Sequence, residues 1–371
     1  MSETIGVFVP PDTDALFHFH FDKCWITHLI KVYTDIAEFK SSHHNQKITC
    51  LQMPYPLQAS FHDIVRDLIK YSDHILVLMS ELHNSTVEFA QTHDNKKISY
   101  FICGDFNFIL NNSPVHKFYD WFSTTVHFYK FVRPMLLSNA LTPYESKPRF
   151  FDALLGRKKL HRDVAYSRID QNQNVVAYLD RNNIYQLTNH LVDTTAYDFT
   201  DAQRWVWEED GLVLENPVAW TVDKVNYYGY RMSLSQVAPL KVYKQTAYSL
   251  IAETSFANHY SFYTEKTVKP LMCKRLFVLL AGQCSLKNLQ AMGFKTFADI
   301  IDESYDIIED PLQRWARAMD QVEYLQTQPQ EYILEKIAPI CDYNHSHLMR
   351  TNWYEQYFMP AFVAYFQREQ N

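Results

Sequence analysis

The run Tyr248-Ser249-Leu250-Ile251-Ala252-Glu253, continued over residues 254–297 as TSFANHYSFYTEKTVKPLMCKRLFVLLAGQCSLKNLQAMGFKTF, decides how this chain is read. YSLIA predicts a buried strand ending at Glu253, and RLFVLLAG predicts another, with helix-compatible sequence between them. That is a β-α-β unit of a parallel sheet. Tyr263-Thr264-Glu265-Lys266-Thr267 opens the intervening helix, with Thr264 placed to cap it. Glu265 and Lys266 then fall in the first turn, where unpaired amides and the helix dipole favour an anion. Lys266 adds a full positive charge there, and a carboxylate such as Glu265 or Glu253 suits the two hydroxyls of a ribose. Pro270 predicts that the helix is short or kinked. Ser285 precedes Leu286, Leu289 and Met292 at helical spacing, and Gly293 stands where a glycine ends such a helix.

Working outward, Phe150-Phe151-Asp152-Ala153-Leu154-Leu155-Gly156 and NVVAYL supply further strands of the same sheet. Between them lies the cationic run Arg157, Lys158, Lys159 and Arg162, at a strand-to-helix turn. The first part of the chain alternates IGVFVP, a helix around 25–39, KITCLQM, a helix around 62–71, HILVLM and ISYFIC, which predicts a second parallel sheet covered by helices. The polar, proline-bearing segment 138–148 reads as the interdomain linker. The expected organisation is therefore α/β with two Rossmann-like domains, 1–140 and 149–340, and a C-terminal helix within 341–371. That helix either crosses back onto the first domain or packs locally.

Length agrees with two domains, since 371 residues give each enough chain to bury a core. A net charge of -7 without a long Lys/Arg block argues against nucleic acid. No apolar stretch approaches a membrane span and no basic-then-apolar leader opens the chain, so no covalent or spanning anchor is expected. Six dispersed cysteines without a C-x-x-C pair predict neither disulfides nor zinc, and a cytoplasmic setting. Only seven glycines occur and none forms a phosphate-cradling loop, so a bound diphosphate must be met by cationic side chains and helix N-termini.

Residues 248–297 resemble the donor-binding motif of the α-1,3-fucosyltransferase families and related bacterial and phage GT-B enzymes: an apolar strand into Glu253, a loop, Tyr263-Thr264-Glu265-Lys266, then Phe277-Val278-Leu279-Leu280. The resemblance implies two domains facing a cleft and a nucleotide-sugar donor held in the second. Lys266 and an arginine, Arg162 before Arg157, would contact the diphosphate, and the glutamates the ribose. It also implies a glycan or glycolipid acceptor in bacterial surface polysaccharide or lipopolysaccharide synthesis, with a GDP-sugar favoured. Ala252-Glu253-Thr254 stands where those families have Phe-Glu-Asn, a departure from the family pattern that leaves the donor sugar open.

Glycosyl transfer needs a stabilised leaving diphosphate and a deprotonated acceptor hydroxyl. Fixed cations serve the first without a metal or other cofactor. Glu81 after HILVLM and Asp105 after YFIC are the leading candidates for the base, ahead of Asp12, Asp14, His18 and His20. His18-x-His20 and His345-x-His347 have strand-face spacing, yet no further ligand completes a metal set. A CMP-Kdo-type transferase and a non-catalytic carbohydrate-binding protein of the same fold remain alternatives. Membrane contact, if any, is peripheral, at the inner membrane.

Overall fold

The structure, a computed structural model, describes residues 5–10, 30–54, 57–157, 159–169, 172–180 and 236–367, together with strand segments at 206–207, 212–214, 224–227 and 230–233. The chain divides into two compact units, Met1–Asp120 with Asn352–Asn371, and Trp121–Thr351.

In the first unit six parallel strands, β1 (Ile5–Phe8), β2 (Ile30–Tyr33), β3 (Lys47–Gln52), β4 (His74–Met79), β5 (Ile98–Cys103) and β6 (Val115–Phe118), lie in the order β2-β1-β3-β4-β5-β6. Every residue of β4 and β5 is buried, which is why both read as unbroken apolar runs rather than alternating ones. Helices α1 (Ile36–Ser41), α2 (Ala59–Leu68) and α3 (Asn84–Thr92) connect the strands. The order reverses between β1 and β3, the switch point of a doubly wound sheet.

The single helix expected around 25–39 does not form over its described residues. Its described part is the edge strand β2, in register with β1, and then α1, started by Asp35, whose side chain accepts from Glu38 N at 2.8 Å. A short edge strand half open to solvent lacks the strong apolar signature of its neighbours. Chain segments 352–367 also belong to this unit: a π-helical turn, Tyr354–Phe358, and a last helix, Met359–Gln367. The Tyr365 hydroxyl lies 2.5 Å from Ser99 Oγ and 2.8 Å from His116 Nε2, and its ring stacks on His74 with centroids 4.4 Å apart.

The second unit holds β7 (Arg149–Arg157), β8 (Val175–Asp180), β13 (Thr246–Ala252) and β14 (Phe277–Leu280), parallel and ordered β14-β13-β7-β8. Between β8 and β13 the chain forms a separate antiparallel sheet that the sequence did not announce, β9 (Val206–Trp207), β10 (Leu212–Leu214), β11 (Lys224–Tyr227) and β12 (Tyr230–Ser233). Helices α4 (Asp120–His127), α5 (Leu136–Ala140), α6 (Leu160–Ile169), α7 (Leu240–Gln245), α8 (Glu265–Met272), α9 (Ser285–Ala291), α10 (Pro311–Thr327) and α11 (Gln330–Arg350) complete the main helical elements. Among the described residues no helix is long and apolar enough to cross a membrane.

Two boundaries differ from expectation. Segment 138–148, expected as the linker, lies inside the second unit, and three of its residues bond to α11. Tyr144 donates to Ala338 O and Asp342 at 3.2 and 2.8 Å, Ser146 to Glu331 at 2.6 Å, and Lys147 N to Gln330 at 2.8 Å. The first unit therefore ends at Asp120 rather than near 140. Likewise α11 runs unbroken through 341, and the chain changes unit at Thr351.

Candidate functional site

In the second unit the order of strands reverses between β7 and β13. These two strands pair only from Thr246↔Arg149 to Ser249↔Asp152. Beyond that rung β13 keeps pairing with β14 as far as Ala252↔Leu280, and β7 with β8 as far as Arg157↔Asp180, across a register shift at Leu154/Gly156 where Gly156 takes a positive φ of 71°. The sheet thus splits at its carboxyl edge, the place where doubly wound sheets take ligands. The split is pinned at its base by a buried ion pair: Asp152 accepts from Arg275 and from Ser249 Oγ, both at 2.8 Å, and Arg275 also donates to Thr246 O and Tyr248 O, both at 2.7 Å.

Separation of the strands leaves main-chain carbonyls of β13 without a ladder partner, and buried carbonyls must be met otherwise. Residues of α6 and the turn before it meet them. Arg162, buried, donates to Ala252 O and Glu253 O, both at 3.3 Å, His161 Nε2 lies 2.7 Å from Glu253 O, and Lys159 donates to Thr254 O. From the other side Lys266 Nζ reaches Thr254 Oγ1 at 3.2 Å, Thr264 Oγ1 at 3.3 Å and Glu265 at 2.8 Å. Arg162, Lys159 and Lys266 all act on the His161 imidazole. Burial first, and then Arg162, bring its pKa down to about 3, so the ring is neutral.

Thr264 caps α8 as its sequence context implied, its hydroxyl accepting from Lys266 N at 3.3 Å. The anion at that helix start is the protein's own. Glu253 Oε1 accepts from Thr264 N at 3.0 Å and from Thr267 Oγ1 at 2.5 Å, while Oε2 accepts from Thr264 Oγ1 at 2.7 Å and from Thr254 N at 3.1 Å. A carboxylate has about four acceptor positions, and here each meets a protein donor. Glu253 therefore orders the turn that presents Lys266 and Glu265. Tyr263 is likewise buried, donating to Ser285 O at 2.5 Å and stacking on Phe122 at 5.9 Å. Glu265, flanked by Lys266 and Lys269, has its carboxyl held below the usual range by those cations against the opposing effect of burial. Lys269 is drawn down to about 8, by burial first. Beyond the Asp152–Arg275 pair, Lys159, Arg162, Lys266 and Lys269 thus gather near Glu253 and Glu265. Arg157 ends β7, but its side chain lies outside the described residues, as does Lys158.

The start of α9 differs from expectation. Its cap position is Cys284, in left-handed conformation with φ 64°, and Asp306 accepts from Leu286 N and Lys287 N at 2.9 and 3.0 Å.

In the first unit Glu81 follows β4 with His83 Nε2 at 3.3 Å, and Asp105 follows β5 paired with Lys117. They sit beyond adjacent strands, whereas the switch point lies between β1 and β3; Asp12, Asp14, His18 and His20 fall outside the described residues. His345 and His347 lie on α11, not on a strand, and their rings bond to Met272 O and Met292 O at 2.6 and 2.9 Å. No group of three or more metal-ligating side chains occurs among the described residues.

Sequence reasoning missed His161, Thr254 and Thr267 as members of the cluster. The only signal was adjacency, each lying within a residue of a position already singled out. Comparison with protein-family models, with curated proteins and with solved structures finds no match.

Proposed function

We propose that the chain is a glycosyltransferase of the GT-B type, its second unit binding the diphosphate of a nucleotide-sugar at the carboxyl edge of β7 and β13. The observation that carries this reading is the convergence of Lys159, Arg162 and Lys266 on residues 252–254, at a split in the sheet where the order of strands reverses. Lys266 and Lys159 bind and neutralise the leaving diphosphate, with Arg162 fixing the backbone beneath them, so the charge is stabilised by groups already in place and needs no metal. Glu265 is the carboxylate that takes the ribose hydroxyls, because Glu253 is already committed to the turn. As the bond from the anomeric carbon to the diphosphate oxygen breaks, that carbon bonds to an acceptor hydroxyl, whose proton passes to a carboxylate of the first unit, Glu81 or Asp105. A glycan or glycolipid of a bacterial surface polysaccharide is the acceptor class.

Thermal stabilisation across GDP, UDP, ADP and CMP tests the reading, with a nucleoside diphosphate, GDP foremost, expected to stabilise the protein. Lys266→Ala and Lys159→Ala should each weaken that nucleotide by about 1 to 3 kcal/mol, the size of a charge-assisted hydrogen bond. No response to any nucleotide, or unchanged affinity in both variants, removes the proposal. Preference for CMP would point to a CMP-Kdo-type donor instead, and glycan binding without nucleotide binding to a carbohydrate-binding protein.

A further inference from the structure

Residues 121–144 contain no Asp or Glu, although the chain has 42 acidic residues among 371 and a net charge of -7. Within that stretch the π-helical turn Phe128–Val132 is fixed from the inside by Phe128 and Tyr129, both buried, the Tyr129 hydroxyl accepting from Ala238 N at 2.6 Å. Anchored this way, the turn holds Phe131 outward, 66% exposed, and Met135 beyond it is 63% exposed. Among the described residues only two other large apolar side chains, Ile109 and Ile307, pass 60%. The Phe131 ring is not bare of charge: the Lys130 ammonium stands 5.2 Å from its centroid and the His127 ring 5.2 Å away. Arg133 is exposed two residues on.

Two outward apolar side chains are too few for a protein–protein interface, which buries on the order of 1,000 Å² or more. They suit a lipid surface, where an aromatic ring and a thioether enter the headgroup boundary while neighbouring cations stay among anionic headgroups. Residues 121–144 themselves bring no carboxylate to such a surface, unlike the acidic chain as a whole. We propose that residues 127–135 form a contact site for an anionic bilayer surface, with Phe131 and Met135 entering the headgroup region and Lys130 and Arg133 meeting acidic lipids. This site is independent of the glycosyl-transfer reading and stands or falls apart from it.

Co-sedimentation of the full chain with vesicles decides it. The protein should partition onto phosphatidylglycerol-containing vesicles at about 0.1 M salt, several-fold less onto pure phosphatidylcholine, and less again at 1 M salt as the charges are screened. F131S/M135S and K130E/R133E should each reduce partitioning at least tenfold. Their melting temperatures and nucleotide affinities should stay those of the parent, because neither pair touches the β7–β13 split. Failure of the parent to bind anionic vesicles, equal binding to neutral ones, or parental binding by both variants overturns the proposal, whatever the nucleotide panel shows.

Discussion

Replacing Glu253 by Ala should strongly destabilise the second unit. The carboxylate is 1% exposed and accepts four hydrogen bonds, two from backbone amides and two from threonine hydroxyls. Each bond to a charged group is worth roughly 1.5 to 3 kcal/mol, but four that share one carboxylate do not add. The better guide is the cost of leaving buried neutral donors without an acceptor, about 1 to 3 kcal/mol apiece, or about 3 to 5 kcal/mol for the group once partial relaxation is allowed. Thr264 and Thr267 are themselves 2% and 0% exposed, so water cannot easily take the place of the lost acceptor. Against a total of about 5 to 15 kcal/mol for a folded domain, that is a large fraction. Glu253→Gln keeps the shape and one carbonyl oxygen, but turns an NH2 group toward a backbone N–H. About 1 to 3 kcal/mol should be lost there. Urea unfolding followed by circular dichroism gives the midpoint shifts, and hydrogen exchange at amides 264–268 shows whether the turn loosens. A loss under about 1 kcal/mol for Glu253→Ala, with exchange unchanged, would refute the view that this carboxylate builds the turn.

Two further outcomes follow from buried charge. His161 is neutral in the fold with a pKa near 3, below its unfolded value of about 6.5, so the unfolded chain takes up the proton first as pH falls. Stability should therefore be lost from about pH 6.5 downward, by roughly 2 kcal/mol at pH 5, and His161→Asn should flatten that slope in pH-dependent unfolding. Arg275→Leu should cost about 3 to 5 kcal/mol by stranding buried Asp152, whereas Arg275→Leu combined with Asp152→Leu should cost less than the first change alone, as read by a double-mutant cycle in urea.

How far the sequence revealed this depended on how local each signal was. HILVLM, ISYFIC and FVLL announced themselves because a strand buried on both faces must be apolar throughout. Thr264 announced α8 because a cap and its helix are neighbours. The strand Ile30–Tyr33 did not, since an edge strand keeps polar positions that also fit a helix. Segment 138–148 looked like a linker because polar composition says only that hydrogen bonds are needed; its partners lie nearly 200 residues on, in α11. Glu253 was legible as an acid at a strand end, but whether its oxygens face a ligand or two threonines is a fact of packing.

The same split in the sheet also separates residues that serve the fold from those open to a ligand. Arg162 is 4% exposed and holds the main-chain carbonyls of Ala252 and Glu253, beyond the point where β7 and β13 stop pairing. A ligand cannot replace that service, so an effect of Arg162→Ala on nucleotide binding would be inseparable from damage to the strand end. Lys266 is different. Its side chain is 23% exposed, and its ammonium rests on two threonine hydroxyls and on Glu265, contacts that a phosphate oxygen can take over. Without Lys266, Glu265 still has Lys269 as a neighbouring cation, so no carboxylate is left without an opposite charge. Lys266→Ala should therefore lower nucleotide affinity while leaving the unfolding midpoint within about 0.5 kcal/mol of the parent, and Arg162→Ala should lower both. If Lys266→Ala unfolds the unit as readily as Arg162→Ala does, the lysine is another strut of the split sheet and the site has lost a ligand-binding cation.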